Sequence, residues 1–217
     1  MQLLIDDKVQ TSNAPAALKT GALADTYEAS TVIPIALDAL YDINCIGIGY
    51  TDATTITVTS TGLSESISFD GNGLYTLPST NNQVFTVSHN GTYIGRVALG
   101  FSRSLGVAPT REAGFYTTRT GRETLSGQSV NSAGGYNGRR VAVDFRYKIT
   151  EDVYNDFTSA YQYIAKGLPY FMEFTAKEQL RIPFARFYGK PTDNNILFQS
   201  SVNRFLYSKQ FDFFERF

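Results

Sequence analysis

The chain has no tryptophan, one cysteine and one histidine in 217 residues. A single Cys cannot close an internal disulfide, so the fold is not expected to depend on an oxidising compartment. Cys45 lies in the apolar run Ile43-Asn-Cys-Ile-Gly-Ile-Gly49 and reads as a small core residue, not a nucleophile. The lone His89 lacks the His/Cys partners of a transition-metal site. A Ser-His-Asp triad would have to use that histidine, and no Gly-x-Ser-x-Gly elbow exists to serve it. Phosphate-cradling and dinucleotide-binding glycine fingerprints are absent as well. No apolar run approaches the roughly 20 residues that span a bilayer. The opening Met-Gln-Leu-Leu-Ile-Asp-Asp has no basic n-region or signal-like apolar stretch. These absences leave no motif for a metal or cofactor, and none is expected. They point to a soluble protein made in a cytoplasm, with no membrane partner.

What is present is β-forming. Apolar residues make up 42% of the chain and charged residues 18%, enough to bury a sizeable core. Aromatic and β-branched residues alternate with Gly, Asn, Asp and Ser turns, which predicts a mainly β protein. The net charge of −1 conceals an asymmetry: residues 1–100 carry three Lys/Arg and nine Asp/Glu, whereas residues 101–217 carry sixteen and eleven. An acidic half and a basic half suit mutual attraction, within the chain or between copies. Two solvated faces would look the same.

Residues 1–12 read as a short strand or arm, and Asn13–Ala24 as a place for a helical turn with Pro15 at its start. Pro34 makes Thr31–Asp42 an edge strand or the entry to one. Short strands follow at Cys45–Tyr50, Thr54–Ser60, Ser64–Phe69, Leu74–Leu77, Val84–Ser88 and Thr92–Leu99. Asp70-Gly-Asn-Gly73 is a turn, and Asn90-Gly91 a hairpin signal. This spacing predicts a sandwich or jelly roll over 1–102. Residues 103–139 are rich in Gly, Ser, Thr and Arg and show no sustained apolar face, so they read as an extended loop or arm ordered by a partner. Thr120–Thr124 is the one stretch there suited to strand pairing. Residues 140–217 form the third part. Arg140–Lys148 alternates as a strand, and Thr150 with Glu151 and Asp152 starts a helix over about 150–166. Gly167 and Pro169 stop it, and Tyr170–Thr175 is a strand. Leu180–Tyr188, Ile196–Ser200 and Asn203–Phe214 continue as strands, and the aromatic end at Phe217 suits burial against a partner.

Two resemblances follow from these residues. Leu18-Lys-Thr-Gly-Ala-Leu-Ala-Asp-Thr-Tyr-Glu-Ala-Ser30, Ile33-Pro-Ile-Ala-Leu-Asp38, Ile43–Gly49 and Thr92–Gly100 resemble the opening and closing strands of galactose-binding-like (discoidin-type) sandwiches, with Tyr27 where that family usually has Trp. The resemblance implies binding of sugars, lipids or proteins through tip loops. The order strand 140–148, helix 150–166, strand 170–175 and further strands through Phe214 resembles the ring-forming hub domain of tailed-phage tail proteins. Gly114–Arg119 and Gly134–Arg140 are similar to minor tail proteins. Distal tail proteins pair a hub with a galactose-binding-like sandwich, although here the sandwich comes first. The resemblance implies a virion tail component, made in the host cytoplasm, that contacts itself and other tail proteins.

Chemistry competes poorly with that expectation. The carboxylate pairs Asp6/Asp7, Glu151/Asp152/Asp156 and Asp212/Glu215 have plain structural explanations, and no enzyme is expected. Arg103, Arg111, Arg119, Arg122, Arg139 and Arg140 line the arm without one Lys between them. With Phe115, Tyr116 and Tyr136 among them they could touch nucleic acid, but the near-neutral chain favours a protein interface. These arginines and Phe217 are the candidate subunit contacts in a homo-oligomeric ring, trimer or hexamer, at the tail tip or baseplate. Tyr27, Asn81, Asn82 and Asn90 are candidate carbohydrate contacts, and equally ordinary turn residues. A module that recognises a cell-surface glycan is the competing expectation.

Overall fold

The computed structural model describes residues 2–20, 25–104, 110–118, 121–123, 129–131, 136–143, 170–179, 186–191, 198–200, 206–208 and 211–215. Their strands are β1 (Gln2–Asp7), β2 (Val32–Thr51), β3 (Thr55–Ser60), β4 (Leu63–Ser68), β5 (Gly73–His89), β6 (Ile94–Ser104), β7 (Thr110–Thr118), β8 (Gly121–Glu123), β9 (Ser129–Asn131), β10 (Tyr136–Val143), β11 (Tyr170–Glu173), β12 (Arg186–Pro191), β13 (Phe198–Ser200), β14 (Leu206–Ser208) and β15 (Phe211–Glu215). Short helices α1 (Ala17–Thr20) and α2 (Ala176–Gln179) accompany them. The protein is mainly β. Eleven strands join in one antiparallel sheet, ordered β4-β3-β5-β2-β6-β1-β11-β12-β15-β10-β7, and β8–β9 and β13–β14 form separate pairs.

That sheet is not flat, because its two longest strands bend. The ladder between β2 and β5 shifts register between Ala36 and Tyr41 and again between Ile43 and Cys45. Extra residues on one strand kink it and increase its twist. Each long strand therefore contributes to two layers. Ile33, Ile35 and Leu37 from the first half of β2, with Phe85, Val87, Ile56 and Val58, share one core with Ile46, Ile48, Tyr75, Leu77, Val97 and Leu99. This is a β-sandwich, as the alternation of these residues predicts. Pro34 sits in the first half of β2, which pairs with β5 on one flank and, among the described residues, has no strand on the other. It is an edge position, where a missing N–H costs nothing.

The second half of β2 has another face. Cys45, Gly47 and Gly49 alternate with Ile46 and Ile48 and so point away from the sandwich core. On that side Leu4, Cys45, Tyr50, Leu74, Ala98, Phe171 and Tyr188 form a second core. Small residues are required here: a Cβ on Gly47 would lie 2.5 Å from the Phe171 ring. Tyr50 takes a left-handed φ of 56°, its N–H is caught by Asn72 at 2.8 Å, and its ring meets Tyr188 edge-on at 5.6 Å.

Strands β5, β2, β6, β1, β11 and β12 thus roll up around this second core. The roll returns to its start. A Cβ on Gly73, which opens β5 at φ +155°, would meet Arg186 Cβ at 2.6 Å and the Phe187 nitrogen at 2.8 Å. Among the described residues no ladder closes this seam, and side chains close it instead.

Several sequence expectations change. The boundaries at 102/103 and 139/140 fall inside β6 and β10, and β1 pairs with both β6 and β11, so one sheet runs through all three expected parts. The 103–139 stretch is not wholly an arm, because β7 pairs with β10 from Thr110 to Thr118. Asn90-Gly91 does not close a hairpin: β5 and β6 both flank β2, so the connection crosses β2. Pairing of β8 with β9 includes Gly121–Glu123, within the stretch expected to pair. The helix expected over 150–166 lies outside the described residues. Strand β15 pairs with β10 and β12, placing Phe211–Glu215 inside the sheet.

Candidate functional site

Three places concentrate hydrogen-bonding groups. The first is the end of the sandwich. Asp52 accepts bonds from the Thr92 N–H at 2.8 Å, the Thr92 hydroxyl at 2.6 Å and the Tyr93 N–H at 3.2 Å. The Thr92 hydroxyl, with these amides, holds the Asp52 carboxyl below its ordinary value. Asn90 accepts from the N–H groups of Thr54 and Thr55 at 2.9 and 3.0 Å, and its amide donates to the Thr54 hydroxyl. Two loops are thereby locked together. Gly91 is needed because a Cβ there would strike the Asp52 carboxylate and stand 2.6 Å from the Ala53 backbone nitrogen. His89, the last residue of β5, is buried beside this brace, and neither ring nitrogen has a partner among the described residues.

The second place is the seam of the roll. The Arg186 guanidinium bonds Asp70, reaches Glu173 at 3.2 Å, donates from Nε to the Leu74 carbonyl at 3.1 Å and stacks 4.0 Å above the Tyr75 ring. The Tyr75 hydroxyl donates to the Gly71 carbonyl at 2.7 Å and bonds the Asp70 carboxylate at 3.0 Å. Burial pushes the Tyr75 phenol well above its ordinary value. Thr76 completes the seam by donating to Glu173 at 2.9 Å. Every strong group here has a partner within the chain, so the cluster is a clasp. Sequence reading missed it, because Asp70, Glu173 and Arg186 are far apart in the chain and each alone resembles a solvated charge.

A buried ion pair pins the N-terminus. Arg96 is 2% exposed, bonds Asp7 and donates to the Leu18 carbonyl at 2.9 Å. Asp7 also accepts from the Val9 N–H at 2.9 Å. Burial raises the Asp7 carboxyl although Arg96 pulls it down.

The predicted carbohydrate contacts do not converge. Tyr27 is half-buried and bridges Ile94 through backbone bonds of 2.7 and 3.1 Å. Asn81 donates to Asp42 at 2.7 Å, and Asn82 to the Thr61 carbonyl at 2.9 Å. About 25 Å of extended strand separates Asn82 from Asn90 along β5.

The candidate subunit contacts are also divided. Arg111 lies on β7, Arg122 on β8, Arg139 and Arg140 on β10 and Arg103 on β6. In the sheet β1, β11, β12 and β15 stand between β6 and β10. Arg139 donates to the Arg186 carbonyl at 3.1 Å and lies over the Phe187 ring, so its head is engaged inside the chain. Arg119 and Phe217 lie outside the described residues. Among the described residues no group of three His, Cys, Asp or Glu is placed to hold a metal ion.

The third place is the pair of strands at the ends of the sheet order, β4 and β7. Their backbone groups, not a cluster of reactive side chains, are what they offer.

No protein-family profile and no curated protein matches the chain. Among solved structures it is similar to a truncated AlyQ with CBM32 and alginate lyase domains, at 12% identity and a TM-score of 0.29. That alignment covers 67% of this chain and 49% of the other, so the chain spans about half that protein's length. A likeness at that score carries no argument about activity.

Proposed function

We propose that the chain is a non-enzymatic structural component of a phage tail, at its tip or baseplate, where copies form a ring joining the tube to the receptor-binding or central fibre apparatus. The observation that carries this reading is the single sheet that runs from β4 in the sandwich through strands of the expected hub to β7 in the expected arm, with, among the described residues, a strand edge at each end. Such a body transmits load through backbone ladders and can be continued by a neighbour. Its strong polar clusters, at Arg186, Asn90 and Asp7, are spent on internal bracing. The tail assignment itself rests on the residue patterns around 18–49, 92–100 and 114–175. The galactose-binding-like character of the sandwich belongs to the same proposal.

The glycan-binding alternative is weakened by the scatter of Tyr27, Asn81, Asn82 and Asn90 and by the internal bonds of the three asparagines. Size-exclusion chromatography with light scattering, run beside a glycan array, separates the two. Self-assembly without glycan signal supports the structural reading, and a strict monomer that binds a glycan overturns it.

A further inference from the structure

Among the described residues the sheet ends at β4 and β7. Natural proteins guard such edges with Lys, Pro, bulges or covering segments, because an open edge templates association. Strand β4, Leu63-Ser-Glu-Ser-Ile-Ser68, has no Pro, Lys or Arg and a single charge, Glu65, and its ladder to β3 runs from Thr55 to Ser60 without a register shift.

Its open groups can be named. Ser60 pairs with Leu63 across the two-residue turn Thr61-Gly62, with Gly62 at φ +74°. The closing pair of such a hairpin is hydrogen-bonded. Phe69 N–H bonds the Thr54 carbonyl at 2.9 Å and keeps the same parity. Leu63, Glu65 and Ile67 therefore bond to β3, while Ser64, Ser66 and Ser68 aim N–H and C=O away from it. These three serines are exposed.

Strand β7 matches. Its ladder to β10 is regular from Glu112 to Thr118, with the one shift near Thr110. Ala113–Thr118 is a stretch without charge or proline, as long as β4. The two edges also belong to halves of opposite character, three Lys/Arg against nine Asp/Glu before residue 101 and sixteen against eleven after it. A two-fold contact of β4 with itself would leave β7 open. A head-to-tail contact satisfies both edges at once and can close into a ring.

We propose that β4 of one copy pairs with β7 of the next, so that the sheets of neighbouring copies become continuous. This rests on the reading that copies assemble, and it names the surface they use.

The test is hydrogen exchange on the full chain, dilute and assembled, with Ser66→Pro as the companion variant. Ser66 faces away from β3, so proline there removes an outward donor and no β3 bond. Amides of Ser64, Ser66, Ser68 and β7 are expected to slow together on assembly, and Ser66→Pro to weaken assembly about tenfold or more with its melting unchanged. Assembly with β4 alone protected means a two-fold contact and overturns the inference, as does assembly with neither edge protected. A chain that stays monomeric at every concentration overturns the assembly reading itself.

Discussion

Gly47→Ala puts one methyl group where the second core has no room for it. The added Cβ would stand 2.5, 2.6 and 2.9 Å from three ring carbons of Phe171, whereas carbon atoms rest about 3.5–4.0 Å apart. Either β11 or β2 must move by roughly an ångström, and both are held in ladders. Overpacking of this kind costs about 1–3 kcal/mol. Alanine in a strand interior would otherwise gain about 0.5–1 kcal/mol over glycine, so the net loss is about 1–2 kcal/mol. For a chain of this size that lowers Tm by about 2–8 °C. Phe171→Ala alone leaves a cavity and costs about 3–5 kcal/mol. The double variant removes the clash, so it should cost less than the sum by about 1 kcal/mol or more. Urea unfolding of the four proteins gives the cycle directly. A neutral or stabilising Gly47→Ala, or strict additivity with Phe171→Ala, would show that β11 does not lie against β2, and the rolled sheet would be wrong.

Three further outcomes follow from the same structure. Asp7→Ala strands the Arg96 charge in the interior and should cost about 3–5 kcal/mol in urea unfolding; replacing both by apolar residues should cost much less, and equal losses would count against a buried pair. Asp52 has a carboxyl held below its ordinary 3.8, so its contribution is complete above that value and is lost as pH falls through the lowered one. The Tm difference between the protein and Asp52→Asn should therefore shrink on acidification, and a gap that widens would reverse the sign. The Cys45 thiol is buried and pushed up to about 12, so an aromatic disulfide reagent should modify it only at the rate of unfolding. Rapid labelling of the native protein would place Cys45 at the surface.

Much of the sandwich was legible because its residues follow a local rule. Ile56 and Val58 alternate with threonines, Ile33 and Ile35 flank Pro34, and burial of 0% at all four hydrophobic positions follows from that period. The bends were not legible. They depend on the register shifts near Ala36 and Ile43, which no local pattern in Asp38-Ala-Leu-Tyr41 announces. The Asn90-Gly91 signal misled for a related reason: the dipeptide makes a turn, but what it connects is decided by β2 taking the place between β5 and β6. The second core was hidden because Gly47 and Gly49 read as weak strand residues until Phe171 and Tyr188, from a distant segment, are placed against them. The three asparagines among the carbohydrate candidates shared a residue type and a turn context, but not a location. The arginines fared similarly, since sequence proximity around the arm said nothing of β1, β11, β12 and β15 separating Arg103 from β10.

The mass of the chain in solution, followed by native mass spectrometry as concentration rises, tests the central claim most directly. Assembly through the two sheet edges predicts a discrete closed species, trimer or hexamer, growing at the expense of monomer, with nothing open-ended beyond it. A monomer at every concentration, with no larger species, would contradict the claim that this protein works as a ring.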